Sequence, residues 1–261
     1  MKTYIISEAA GTWLHGGLDA AEASIRAAAS AGIHAWKTQW TSDYAAMHKR
    51  RGIKGDSYKR LQWDIKYHER LKVVCDDEGI DYICTVFLPQ DVATIAPYVA
   101  RFKISAFEES DKEIHYEMQE FRKPVIVSHS GGAKKGFDLS GLVGCPVYRL
   151  HCVSQYPTPN DQIRLIALTS TWDVRGVKVD DLCSCTDMAP MANRVYDGLS
   201  DHTTSVLTGA VAVGAGATII EVHFRLDDTP KSDPDYLHSR DTYQLKEYIA
   251  NIRIAERMMY G

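Results

Sequence analysis

Two histidines and two lysines carry the most chemistry in this 261-residue sequence. His202 and His223 each close a β-rich run, one strand–helix unit apart. Neutral imidazoles on neighbouring strand ends can share a divalent metal and leave positions open to water and substrate. Taken singly, each is more often a structural hydrogen-bonding group than a ligand. Lys37 and Lys103 both lie inside β-rich runs, Ala35-Trp36-Lys37-Thr38-Gln39-Trp40 and Phe102-Lys103-Ile104, which argues against surface snorkelling. Two ammonium groups in one cavity repel and shift each other's pKa unless an anion sits between them. With hydroxyls from Thr85, Ser128, Ser154 and Ser200 close by, the set suits a small phosphorylated and carboxylated ligand. Glu8, Glu108 and Asp235 are carboxylates available for acid–base work or for balancing that charge. Asp235 falls in a loop, where a plain surface acid is an equal reading.

These residues need a scaffold that brings strand ends together. Candidate strands cover residues 4–9, 35–40, 81–87, 101–106, 124–130, 147–154, 194–199 and 218–224. Helical patterns fall between them at 18–31, 63–78, 90–99, 112–122, 161–171 and 203–215, with a last helix at 241–259. Gly32 and Gly79 stand where helices should stop. The unit around 138–144 has the weakest helical pattern. Eight strand–helix repeats in this length predict an α/β fold, a single (β/α)8 TIM barrel spanning 1–261. A barrel presents its chemistry at the strand C-terminal ends, and every predicted strand ends in a polar or ionisable group. Two polar stretches interrupt the repeat, 42–62 with Lys49-Arg50-Arg51, and 177–193. Each is a candidate lid or a plain solvated loop.

Composition narrows the classes further. Hydrophobic residues make up 45% and charged residues 25%, which is ordinary for a globular chain. A net charge of −4 argues against a general nucleic-acid or membrane-surface binder. Glu8 interrupts any apolar leader, and no apolar run approaches the roughly 20 residues of a membrane helix, so a cytoplasmic protein is expected. The 6 cysteines are scattered and read as reduced, mostly buried thiols. The close pair Cys183-Ser184-Cys185 lacks a partner pair at ligand spacing and reads as a loop feature.

Ordered segments of the chain resemble the sialic acid synthases and related nonulosonic acid synthases. Ile5-Ile6-Ser7-Glu8 is similar to the opening strand of that family, and Ala35-Trp36-Lys37-Thr38-Gln39 to its lysine-bearing second strand. Phe102-Lys103-Ile104-Ser105-Ala106-Phe107-Glu108 resembles the fourth-strand motif. The most specific segments are Leu150-His151-Cys152-Val153-Ser154-Gln155-Tyr156-Pro157-Thr158-Pro159, Gly198-Leu199-Ser200-Asp201-His202-Thr203 and Ile220-Glu221-Val222-His223-Phe224. The resemblance implies a barrel enzyme that joins phosphoenolpyruvate to the aldehyde of an open-chain sugar and releases phosphate. It implies His202 and His223 as ligands of a divalent metal, Mn2+ or Mg2+. It implies phosphoenolpyruvate contacts from Lys37, Thr85, Lys103, Ser128, Ser154, Tyr156 and Ser200, with Gln39 as a further substrate contact and Ser105 standing in for a phosphate-binding hydroxyl. Glu8 matches the catalytic carboxylate, Glu108 and Asp235 match carboxylates over the acceptor, and a homodimer is implied.

The chain also departs from that pattern. Gly11-Thr12-Trp13-Leu14-His15-Gly16-Gly17 replaces an Asn-His-Asn-Gly type loop, and Ala106-Phe107 replaces small residues. Lys231-Ser232-Asp233-Pro234-Asp235 stands for Pro-Gly-Pro-Asp, and 177–193 has no counterpart. The antifreeze-like domain that usually follows the barrel is not expected in the sequence ending at Gly261. The donor is therefore better defined than the acceptor. Alternative readings are a metal-dependent aldolase or lyase that does not use phosphoenolpyruvate, and an inactive barrel acting as a binding subunit.

Overall fold

A computed structural model of the protein describes residues 2–130, 138–169 and 194–261. Eight parallel strands close into a barrel in chain order, with the last paired back onto the first. They are β1 (Tyr4–Ala10), β2 (Ala35–Gln39), β3 (Asp81–Thr85), β4 (Arg101–Ile104), β5 (Val125–His129), β6 (Val147–His151), β7 (Gly198–Asp201) and β8 (Ile219–His223). The helices are α1 (Gly17–Ala31), α2 (Tyr44–Arg51), α3 (Tyr67–Asp77), α4 (Pro89–Ile95), α5 (Lys112–Gln119), α6 (Thr208–Gly214) and α7 (Thr242–Tyr260). The (β/α)8 barrel expected from the strand–helix alternation is the observed architecture.

Local chemistry fixes most of the helix ends. Asp43 accepts the Ala45 and Ala46 N–H groups ahead of α2, and Asp111 does the same for Glu113 and Ile114 ahead of α5. Asp241 and Gln244 form a reciprocal capping box at the start of α7. Gly32 ends α1 with φ 97°, a left-handed conformation that a side chain would strain.

Period-two alternation sorts the strand residues into two populations. Outward side chains such as Ile5, Trp36, Phe102, Val127 and Ile220 are buried against the helices. Inward side chains form an apolar lower layer of Ile6, Ala35, Ile83, Ile126, Tyr148 and Ile219. One turn of pleat higher, the same strands carry Glu8, Lys37, Thr85, Lys103, Ser128, Ser200 and Glu221, all buried. At Gly198, a Cβ would lie 1.9 Å from the Ile219 carbonyl oxygen, so β7 and β8 approach closely only because glycine stands there.

Several elements differ from the sequence pattern. The seventh ladder runs over Gly198–Asp201, not 194–199, because the Asp197 carboxylate takes the Arg149 N–H at 2.7 Å below it. The sixth strand stops at His151, which leaves Ser154 in the loop beyond. Residues 138–144 form turns without a helix. Of the helix expected at 161–171, the described part is a 3-10 turn, Leu165–Thr169. The 42–62 stretch contains α2 and a second 3-10 turn, Lys59–Leu61. The 177–193 stretch, with Cys183 and Cys185, lies outside the described residues, and the four described cysteines are free and buried. Among the described residues, no helix is long and apolar enough to cross a membrane.

Candidate active site

The upper layer opens into a cavity of about 320 Å³ at the strand C-terminal ends. Its floor is set by strand register. Glu8 faces Lys37 across β1–β2, Thr85 faces Lys103 across β3–β4, and Ser200 faces Glu221 across β7–β8. A register shift between Glu8 and Ala10, with Ala10 at φ 47°, bulges β1 beside the cavity. Glu8 Oε1 accepts the Ala10 N–H at 2.5 Å, and its other oxygen pairs with the Lys37 ammonium.

The anion that two facing lysines require is supplied by the chain itself. Glu221 lies 3.6 Å from Lys37 Nζ and 3.8 Å from Lys103 Nζ, and accepts from the Ser200 hydroxyl at 2.9 Å. Burial alone would raise its carboxyl pKa, but the two ammonium groups overcome this and hold it below the usual carboxylate range. Lys37 donates to the Thr85 hydroxyl at 3.2 Å, and Lys103 to that of Ser128 at 2.7 Å. Burial pushes Lys37 down to about 8, against the pull of Glu221 and with the repulsion of Lys103.

Above this floor stands an aromatic group. The His202 and His223 rings are 5.3 Å apart, with Tyr156 4.2 Å from His202 and His238 4.4 Å from His223. His202 Nδ1–H donates to the Val153 carbonyl at 2.7 Å, which leaves the Nε2 lone pair available. Burial pushes His202 down to about 4, and burial with its imidazole neighbours holds His223 well below the ordinary histidine value. Both rings are therefore neutral near pH 7, as metal ligands must be. His223 Nδ1 is buried without a hydrogen-bond partner, which also fits a metal or substrate contact.

The rim comes from two loops pinned at their roots. The 42–62 stretch starts and ends together, because the Trp40 indole donates to the Trp63 carbonyl and the Trp63 indole to that of Gln39, each at 3.0 Å. It contributes Arg51, Tyr58 and Arg60 to the cavity wall. The loop after β8 is closed by Arg240, whose N–H bonds to the His223 carbonyl and whose carbonyl accepts the Arg225 N–H, both at 2.9 Å. The Arg240 guanidinium also donates to buried Asp201 at 2.7 Å. Arg60 joins the two loops, donating to Asp233 and to Asp235 at 2.7 Å each. Burial would raise the Asp235 carboxyl, but His238 and Arg60 hold it below the usual range.

Most of the residues expected from the sequence meet at this cavity: Glu8, Lys37, Gln39, Thr85, Lys103, Ser105, Ser128, Tyr156, Ser200, His202, His223 and Asp235 line it. Two do not. Glu108 is buried behind Ser105, tied to Arg51 at 2.5 and 2.6 Å. Ser154 is exposed on the loop beyond β6 and is absent from the wall, because the strand ends three residues earlier. Arg51, Arg60 and His238 line the cavity without having been expected there. Their only sequence signals were a basic run and an Asp-x-x-His spacing.

A closed parallel barrel with ionic, hydroxyl and imidazole side chains converging at its C-terminal face defines a (β/α)8-barrel protein with a polar small-molecule site. The chain belongs to the NeuB family, whose profile matches residues 24–179 and 181–261. An uncharacterized protein of Methanocaldococcus jannaschii is 28% identical over 98% of this chain and 72% of its own length. The pseudaminic acid synthase of Campylobacter jejuni is 27% identical over 98% of this chain and 74% of its own. Among solved structures, the N-acetylneuraminic acid synthetase of Leptospira borgpetersenii, in complex with citrate, superposes with a TM-score of 0.77 at 21% identity. It covers all of this chain and 86% of its own, a likeness of fold.

Proposed function

We propose that this protein condenses phosphoenolpyruvate with the aldehyde of an open-chain sugar, giving a 2-keto acid and inorganic phosphate. The observation that carries this reading is the Lys37–Glu221–Lys103 array buried beneath His202 and His223. Such preorganised charge is suited to a donor bearing both phosphate and carboxylate. Membership of the NeuB family, and likeness to a pseudaminic acid synthase, support the same chemistry.

In this mechanism Lys37 and Lys103 hold the donor's phosphate and carboxylate, with Thr85, Ser128 and Ser200 orienting the ammonium groups and Glu221. The donor C3 bonds to the aldehyde carbon, whose oxygen is left as an alkoxide while C2 becomes cationic. Water adds at C2 and gives its proton to Glu8, which the β1 bulge and Lys37 hold in place. The C–O bond to phosphate then breaks, the C2 hydroxyl giving its proton to the departing phosphate as the ketone forms, and the proton held by Glu8 passes to the acceptor alkoxide. A divalent ion, Mn2+ or Mg2+, held by His202 and His223 would supply Lewis acidity toward the acceptor aldehyde. Asp235, tied to Arg60, faces the acceptor side, and Glu108 acts from behind the wall by holding Arg51.

Phosphate release from phosphoenolpyruvate with Mn2+, measured across a panel of aldoses and other aldehydes, tests this reading. Release with at least one acceptor, and a product mass equal to donor plus acceptor plus water less phosphoric acid, is expected. No release with any aldehyde would favour the binding-subunit reading. Condensation that survives Lys37→Met with Lys103→Met would favour an aldolase without this donor.

A further inference from the structure

The rim brings a third imidazole and a carboxylate to the two histidines expected. One ligand atom each from His223, Asp235 and His238 lie within 4.8 Å of one another. His223 and His238 are buried at 5% and 2% exposure. His238 Nε2 lies 3.2 Å from Asp235 Oδ1 but is not aligned for a hydrogen bond, and it has no other partner. His223 Nδ1 is likewise orphaned. Buried polar atoms are nearly always satisfied, so two orphaned imidazole nitrogens converging on a carboxylate oxygen imply a missing partner. The second Asp235 oxygen is taken by Arg60, which fixes the carboxylate with Oδ1 toward the imidazoles.

We infer that His238 is a third imidazole donor in this site, forming with His223 and Asp235 a three-ligand face that selects a first-row transition ion over magnesium. The inference rests on the proposed metal dependence and adds to it a ligand and a selectivity. Imidazole favours transition metals, whereas magnesium prefers carboxylate, carbonyl and water oxygens. Adding one imidazole to a site therefore moves its preference away from magnesium. His202 stands beside this face, its ring 5.3 Å from that of His223.

The test is manganese binding by the chelator-stripped full chain, read from the free-ion electron paramagnetic resonance signal, alone and with excess magnesium. The wild-type chain is expected to bind one ion that magnesium displaces poorly. His238→Ala, and the near-isosteric His238→Gln, should weaken manganese binding by about tenfold or more and make the remainder displaceable by magnesium. His202→Ala and circular dichroism of each metal-free variant serve as controls. If both His238 variants match the wild type while His202→Ala loses binding, the third-ligand inference fails and the two-histidine metal site stands. If the wild type binds no manganese, both fail.

Discussion

The floor and the rim of the cavity are built by opposite means. On the floor, most polar groups are the upward continuation of an apolar one: Ile6 then Glu8, Ala35 then Lys37, Ile83 then Thr85, Ile219 then Glu221. The strand ladder fixes these positions, and the groups are paired with one another inside the barrel. On the rim, Arg51, Arg60, Asp235 and His238 come from the two excursions after β2 and β8, short helical turns included, which are fixed by tethers at their roots. The floor is therefore rigid and self-neutralising, whereas the rim is assembled from long side chains that reach across from separate segments. On the proposed function, the floor serves the donor and the rim the acceptor.

The sharpest way to break this contrast is to substitute on the floor. Lys37→Met should reduce kcat/KM for phosphate release by about a hundredfold to a thousandfold, as loss of a preorganised charge does. Glu221→Gln should also lower stability by about 3–5 kcal/mol, because two buried ammonium groups lose their shared partner. Urea denaturation with an unchanged m-value would check this, and a change within about 1 kcal/mol would mean that the rim, not the floor, carries the buried charge.

The next largest effect is set by pH. Lys37 titrates near 8, so binding of inorganic phosphate should fall about tenfold per unit above that value as the ammonium is lost. Stability moves the other way. Between pH 8 and 10.5 the unfolded chain keeps a proton that the folded chain has shed, so this group's contribution to stability rises with pH. Calorimetric titration with phosphate from pH 7 to 9.5 reads the binding limb, and Lys37→Met should flatten it.

Rim substitutions should be milder for the fold. Arg60→Met frees Asp233 and Asp235, and is expected to raise KM for the acceptor about tenfold, leave KM for phosphoenolpyruvate unchanged, and cost less than about 1 kcal/mol. A parallel rise in both KM values would erase the division between floor and rim. Arg51→Ala is expected to act least on the two KM values. It removes the cation–π contacts to Phe87 at 4.5 Å and Phe107 at 5.0 Å, worth about 0.5–2 kcal/mol, and releases Glu108. A thermal melt measures that loss.

The same division explains what the sequence disclosed. Inward strand positions have a period, so Lys37, Thr85, Lys103 and Ser128 could be aligned at one level, and register did the rest. Glu221 was visible as a strand-end residue, but nothing in its spacing says that it stands between two lysines on other strands. Loop residues have no period. Arg51 and Arg60 read only as charge, and His238 only as a histidine three residues beyond Asp235, because their meeting depends on tethers such as Trp40–Trp63 that no local pattern encodes. Ser154 illustrates the converse error, since a β-rich run continued in sequence past the point where the ladder stops. The seventh strand slipped for a related reason: Val195 and Tyr196 alternate well but are buried in the layer outside the barrel, and Gly198 is the residue that can lie against β8.

The root tethers separate two kinds of inheritance. Trp40 and Trp63 bond to backbone carbonyls at the base of one loop, and Arg240 closes the base of the other through its own backbone and buried Asp201. Neither tether uses a residue from a loop tip. Tip sequences are thus free to lengthen, shorten or be exchanged without reopening the barrel, like cartridges in a fixed socket. A lineage that keeps the sockets can change what the rim presents while the floor stays untouched, and a designer transplanting tips between barrels of this kind would cut between the tether and the tip.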